Sequence, residues 1–255
     1  GLTARLTAAA PQANDIRISQ IYGGGGNSGA TYTHDFIELF NAGSTAVDLS
    51  GWSVQYASAT GSTWQVTALS GPIGPGQYYL IQEAQGSGGT TPLPTPDAIG
   101  TIAMSSSNGK VALVNSTTAL SGSCPTGVTD LVGYGTANCY EGGGATPALS
   151  NTTAAIRKAE GCADTDDNSA DFITGAPTPR NTASPTHSCG TPPTGNLIVA
   201  KSGPATVLPG ASYVYTLTVQ NATGITLNNI VLSDTLPVSV TYASADPAWT
   251  WDPDT

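Results

Sequence analysis

Apolar and polar residues alternate over short stretches of the chain, and turn formers interrupt the alternation. In DIRISQIY (15 to 22), Ile16, Ile18 and Tyr22 recur among polar neighbours, which predicts a strand with one buried face. The segment Thr31 to Asn41 collects Tyr32, Phe36, Ile37, Leu39 and Phe40 in a run too short for a helix and reads as a second strand. GWSVQYAS sets Trp52, Val54 and Tyr56 on one side. Pro75-Gly76 then turns the chain into QYYLIQEA, where Tyr78 and Leu80 oppose Tyr79 and Ile81. KVALVNS (110 to 116) and VTDLVGYG (128 to 135) add two more strands. No segment before Ala154 carries apolar residues at i, i+3, i+4 and i+7 over a helix length. Many short strands between Gly, Pro, Asn and Ser predict an all-β fold, a sandwich or barrel.

The pattern breaks at HSCGTPPTGN (187 to 196), rich in Pro, Gly and Thr, and then resumes in NLIVAKSGP, SYVYTLTVQNAT and ITLNNIVLSDTLP. Tyr213, Tyr215, Leu217 and Val219 share one face of the second of these. The expected organisation is an extension at 1–12, a β-sandwich domain at 13–190, a linker at 191–195 and a second β-sandwich at 196–255. About sixty residues fall short of the hundred that an immunoglobulin-like sandwich uses, so the second body is expected to be incomplete.

Charge narrows the partners. Lys and Arg number 7 against 17 Asp and Glu, a net charge of −10, and no basic run exists. Binding to a phosphate backbone needs clustered cations, so nucleic acid is not expected as a direct ligand. Nowhere do eighteen apolar residues run together, which predicts a soluble chain without a membrane span. The start, GLTARLTAAAPQA, lacks the apolar centre of a signal peptide, and any export signal is expected to be gone already.

Cys124, Cys139, Cys162 and Cys189 are even in number and contain no CxxC pair. Disulfides fit them better than zinc, whose ligands come closely paired, and disulfides imply export. Of three pairings, Cys124 with Cys139 and Cys162 with Cys189 is expected, since each closes a loop through a turn-rich stretch.

Gly24-x-Gly26-x-x-Gly29 with Asp48 downstream imitates a dinucleotide fingerprint, but that motif needs a helix after it, and here a strand follows. Gly23 to Gly26 is expected to be a flexible hairpin or loop tip. His34 and His187 belong to no metal motif, and Gly26-Asn27-Ser28-Gly29-Ala30 fails a nucleophile elbow at its last position. Asp35 and Glu38 differ in strand parity and point to opposite faces, so they form no shared acid/base pair. Glu38 is expected to be held by backbone or tyrosine donors. In ADTDDNSADF, Asp164, Asp166 and Asn168 recur every second residue and Asp171 follows. Two readings stay open: oxygen ligands around Ca²⁺, though Ser169 and Gly175 stand where an EF-hand has Gly and Glu, or Asx turns beside Cys162. No other cofactor is suggested. Trp249 and Trp251, near Tyr242, could stack on carbohydrate, but alternation favours a core role, as for Trp52 and Trp64. Sequons at Asn115, Asn151 and Asn221 suit exposed turns.

DFIELFN, the turn NAGS and VDLSGWSVQY resemble the opening of a bacterial lamin tail domain. DLVGYGTANCYEGGGATPALSNTTAAIRK, GCADTDDNSADF and PTPRN resemble its later part, so that the likeness spans about residues 13 to 189. The resemblance implies an immunoglobulin-like β-sandwich without catalytic machinery, of a kind found at the start of large secreted or surface proteins, some with a nuclease or phosphoesterase elsewhere. The tail, with its LPG turn, YTLTVQN strand and DTLP corner, resembles a repeat domain of unknown function in bacterial and archaeal surface proteins, used as a spacer or stalk. The expected function is a non-enzymatic extracellular or cell-surface module. It would make adhesive or structural contacts with protein partners or with neighbouring copies, joined by strand complementation. Two alternatives remain: an accessory region of a secreted nuclease or phosphoesterase, and a calcium-dependent carbohydrate binder.

Overall fold

The alternating stretches form strands, interrupted where Gly, Pro and Asn supply turns. In chain order they are β1 (Leu2–Thr3), β2 (Ile16–Tyr22), β3 (His34–Asn41), β4 (Val47–Asp48), β5 (Ser53–Ala57), β6 (Gln65–Ala68), β7 (Pro72–Ile73) and β8 (Tyr78–Gln85). Then follow β9 (Ala98–Ile99), β10 (Gly109–Val114), β11 (Asp130–Tyr134), β12 (Ala154–Arg157), β13 (Phe172–Gly175), β14 (Leu197–Ser202), β15 (Thr216–Asn221) and β16 (Ser233–Asp234). The computed structural model describes residues 2–3, 15–189, 197–204, 206–221, 233–234, 236, 239–241 and 243. It divides the chain into two units, residues 11–190 and residues 1–10 with 191–255. Trp249, Trp251, Tyr242 and most of the expected linker and closing strands lie outside the described residues.

The larger unit stacks two sheets. One has six strands in the order β13-β12-β2-β3-β8-β9, antiparallel except for β8 with β9, and the other has four antiparallel strands in the order β11-β10-β5-β6. Ile16, Ile18, Ile37, Leu39, Tyr79 and Ile81 of the first sheet meet Trp52, Val54, Tyr56, Val111, Leu113 and Val132 of the second, all buried. This is the all-β sandwich that the alternation allowed, of the immunoglobulin-like type that the resemblance implied. Within the sandwich, after β2, helical structure is confined to a 3-10 turn, Ala159–Gly161, and the four-residue helix α1, Asn168–Asp171. A second cluster, with Trp64, Ala112, Val114 and Leu131, lies on the outer side of the four-stranded sheet. In the other unit, β14 pairs with β15 from Leu197↔Asn221 to Ser202↔Thr216, and β1 pairs with β16.

Three expectations are corrected. First, the pairing of β2 with β3 shifts between Ile18 and Gln20, and this bulge turns Ile21 rather than Tyr22 to the core. Second, β2 and β3 bury both faces. The outer one is crossed by a strap, residues 176–187, that bonds Thr178 N to Gln20 Oε1 (3.0 Å), Thr182 N to Asp97 Oδ2 (3.1 Å) and His187 N to the Gly76 carbonyl (2.8 Å). Third, Gly23 to Gly26 is a packed seam, not a loose tip, and all four glycines are buried. A Cβ on Gly24 would meet the backbone of Ser150 and Asn151, one on Gly25 the carbonyl of His34, and Gly26 has φ +67° against Gly86. Gly25→Ala is therefore expected to cost about 3 kcal/mol or more by overpacking, read as a lowered denaturation midpoint; a change under about 0.5 kcal/mol would contradict the seam.

Candidate functional site

The sequence-predicted acidic turn follows β12, and its centre is Arg157, a residue the sequence reading did not single out. Its side chain is wholly buried and its guanidinium reaches Asp130 Oδ2 (2.7 Å), Asp164 Oδ1 (3.0 Å) and Asp171 Oδ2 (3.9 Å). It also donates to the carbonyls of Ile18 (2.8 Å) and Ala163 (3.0 Å) and lies 4.6 Å from the centre of the Phe172 ring. Asp164 bridges on to Arg17 at 3.4 Å. The cation that these carboxylates face is thus a guanidinium, whose planar fork suits several acceptors at once. A sequence signal existed: Arg157 sits inside the alternating strand AAIR of a chain with only seven Lys and Arg.

The four candidate ligands do not converge. Asp164 and Asp171 both reach Arg157, and Asp171 also accepts from Thr165 N (2.7 Å) and Thr165 Oγ1 (2.9 Å). Asp166 is exposed, at φ +53°. Asn168 turns away to β11, donating to the Leu131 carbonyl (2.9 Å) and accepting from Gly133 N (2.9 Å), so that its amide stands in for a neighbouring strand. Asp167, which was not singled out, forms the Asx-type cap, accepting from Ser169 N and Ala170 N at the start of α1. Among the described residues no group of three or more His, Cys, Asp or Glu is arranged to hold a metal ion. Calcium added after chelator treatment is expected to leave the melting temperature unchanged; a saturable rise would instead show that the ion displaces this arrangement.

The cysteines form two disulfides, Cys124–Cys139 and Cys162–Cys189. The first ties loops over the outer face of the four-stranded sheet. There the buried Lys110 ammonium donates to the carbonyls of Gly61 (2.8 Å) and Ser123 (2.6 Å) and to Asn138 Oδ1 (2.9 Å). The second anchors the end of the strap.

Beneath the strap, Glu38 is fully buried. It accepts from Ser19 Oγ (2.6 Å), Gln20 Nε2 (3.0 Å), the Arg180 backbone (2.7 Å) and Arg180 NH2 (2.9 Å), so an arginine completes the expected backbone donor. Arg180 stacks 3.6 Å from the Tyr78 ring centre and reaches Glu160 at 2.5 Å. Asp35 faces the core instead, as its parity requires, and accepts from Gly25 N and Met104 N, both at 2.8 Å. Glu83 accepts from Ile102 N at 2.8 Å. Its Oε1 and the neighbouring Thr67 Oγ1 are buried and form no hydrogen bond of ordinary geometry, although the Thr67 hydroxyl lies close enough to the carboxylate to offset part of its burial. Among the described residues no cation faces Asp35 or Glu83, and burial pushes both carboxyls up to about 7, Asp35 also through the charge of Glu83. Glu141, which accepts from Leu131 N and Asn168 Nδ2, is raised to about 8 by burial and by Asp130.

Carboxyls raised to neutral values are the usual mark of acid/base chemistry. Asp35 and Glu83 lie under 5% exposed, between the sheets, where a substrate does not reach them. An open groove of about 530 Å³ lies elsewhere, against Val114, Ser116, Thr118, Leu120 and the Cys124 disulfide, and no acidic, basic or histidine side chain lines it.

None of the curated proteins matches the chain. Among solved structures, a DUF4876 family protein from Bacteroides thetaiotaomicron is similar, with 14% identity and a TM-score of 0.44, over 69% of this chain and 75% of that one. The family model described as Lamin Tail Domain matches residues 9–136, which take in the strands from β2 to β11, the whole of the four-stranded sheet and four of the six strands of the other. With half of its length matched and the sandwich formed by those strands, the chain belongs to the lamin tail domain family.

Proposed function

We propose that the protein is a non-catalytic, exported contact module: a disulfide-stapled lamin-tail sandwich that presents structural or adhesive surfaces to other protein chains, followed by a spacer domain. The observation that carries this reading is where the charge lies. Asp35 and Glu83 are sealed between the sheets, the half-buried Glu141 is tied to Leu131 N and Asn168 at the edge of β11, and every Lys and Arg from residue 15 to residue 189 has an internal acceptor. Arg17 donates to the Cys162 carbonyl, Lys110 to three oxygens, Arg157 to Asp130, Lys158 to the Ala170 carbonyl and Arg180 to Glu38. A surface so poor in available cations does not favour nucleic acid or anionic membranes. Two disulfides support an oxidising, extracellular setting. Among the described residues no helix is long and apolar enough to cross a membrane.

The spacer reading of residues 196–255, beyond a linker at 191–195, is supported by β15 within YTLTVQN and by the LPG turn. In that turn Gly210 has φ +79° and Ala211 N donates to the Leu208 carbonyl at 3.1 Å. Two assays test the proposal: fractionation of producing cells, and incubation of the purified chain with phosphodiester, ester and glycoside substrates. Recovery outside the cytoplasm with oxidised cysteines and no turnover is expected. Turnover abolished by a single substitution within the chain, or recovery as a reduced cytoplasmic protein, would overturn it.

A further inference from the structure

The sandwich has four open-ended strands, and three of them are guarded. β13 runs into Pro177 and Pro179, which cannot extend a ladder. β9 has two residues, follows Pro94 and Pro96, and lies beside Asp97, whose carboxylate accepts from Thr182 N of the strap. The outer edge of β11 is filled by Asn168, by Glu141 Oε1 on Leu131 N (3.2 Å) and by Thr146, whose amide donates to the Gly133 carbonyl at 2.8 Å. The fourth edge, β6, has β5 as its only strand neighbour among the described residues, and its sequence QVTA contains no proline and no charge.

Natural sheets blunt exposed edges with proline, charge or cover, because unpaired backbone donors and acceptors recruit another strand. An edge left open beside three that are closed marks a contact surface. The electrostatics select its occupant. No residue from 49 to 82 is charged, whereas the chain as a whole carries a net charge of −10. Two copies repel through most of their surface, but can approach across this neutral stretch within the Debye length of about 8 Å at physiological salt. An edge strand is also complementary to itself when turned antiparallel about a two-fold axis.

We propose that β6 pairs antiparallel with β6 of a second copy, joining the two four-stranded sheets into one and making a homodimer. This identifies one partner for the contact function proposed above and rests on that reading. Val66, opposite Gln55 in the β5 register, then comes beside outward-facing residues of the second copy.

The test is sedimentation velocity with light scattering on the full 255-residue chain, disulfides intact, over a concentration series. Val66→Lys is compared with Thr174→Lys, which adds the same charge at an exposed position on β13. The wild type is expected to show a monomer–dimer equilibrium that strengthens with added salt. Val66→Lys should weaken it by about tenfold or more, since like charges meet across the new pair, and Thr174→Lys should leave it unchanged. Near-ultraviolet circular dichroism reports whether each variant folds, with Ala68→Lys replacing a misfolded Val66→Lys. A wild type that stays monomeric at all concentrations and salts, or equal weakening by both lysines, overturns the dimer. Either result leaves the fractionation and turnover assays free to support or refute the contact module.

Discussion

Arg157→Met lowers stability by roughly 3–5 kcal/mol, the cost of removing one partner from a buried ion pair. The size follows from what remains. Asp130 and Asp171 keep side chains 6% and 3% exposed and lose the only cation they face among the described residues, while the carbonyls of Ile18 and Ala163 lose a donor. A domain is typically stable by about 5–15 kcal/mol, so this loss takes much of the total. Arg157→Lys is expected to recover little, because one ammonium cannot bond Asp130, Asp164 and two carbonyls from a single position. Denaturant unfolding with the disulfides intact measures both variants. A loss under about 1 kcal/mol for Arg157→Met would show that the acidic turn is held by something other than this guanidinium.

The same residue shows where the sequence stops being legible. Trp52, Val54 and Tyr56 could be placed on the core face because a regular strand alternates with no outside information. Arg157 could not be placed, because its partners Asp130 and Ile18 lie 27 and 139 residues away and meet it only once β2, β11 and β12 pack. The strap over Gln20 and Glu38 returns from residues 178 and 180 for the same reason, so the second buried face of β2 was invisible in DIRISQIY. Gly23 to Gly26 misled because a glycine that permits a turn and one that lets backbones touch are written alike. Asn168 carried ligand chemistry in its side chain, but used it on the edge of β11, a role that strand order alone reveals. Two-residue periodicity around Asp164 implied a shared direction that holds only in an extended strand, whereas this segment is a turn entering α1.

Stability should fall as pH rises through neutrality, the reverse of the common pattern for carboxylates paired with cations. Asp35 and Glu83 are raised to about 7 and Glu141 to about 8, in each case chiefly because burial penalises the charged form. A carboxyl whose folded value lies above its unfolded value near 4 contributes stability that is fully present below about pH 4 and is lost as pH climbs through 7 and 8. Asp48 and Asp167 work oppositely: the hydroxyls of Ser50 and Ser169 hold them below the usual range, so their contribution fades on acidification. The melting temperature should therefore be highest near about pH 4 to 5 and fall until about pH 8, where the last of these carboxyls ionises. Glu83→Gln isolates one source. A neutral amide at that position can donate to the adjacent Thr67 Oγ1 and carries no charge to bury. The variant should match the wild type near pH 5 and exceed it near pH 9, flattening the profile. A wild-type melting temperature that rises steadily from pH 5 to pH 9, or a Glu83→Gln profile parallel to it, would mean that these carboxyls are solvated or paired in solution and that the space between the sheets is not closed to water.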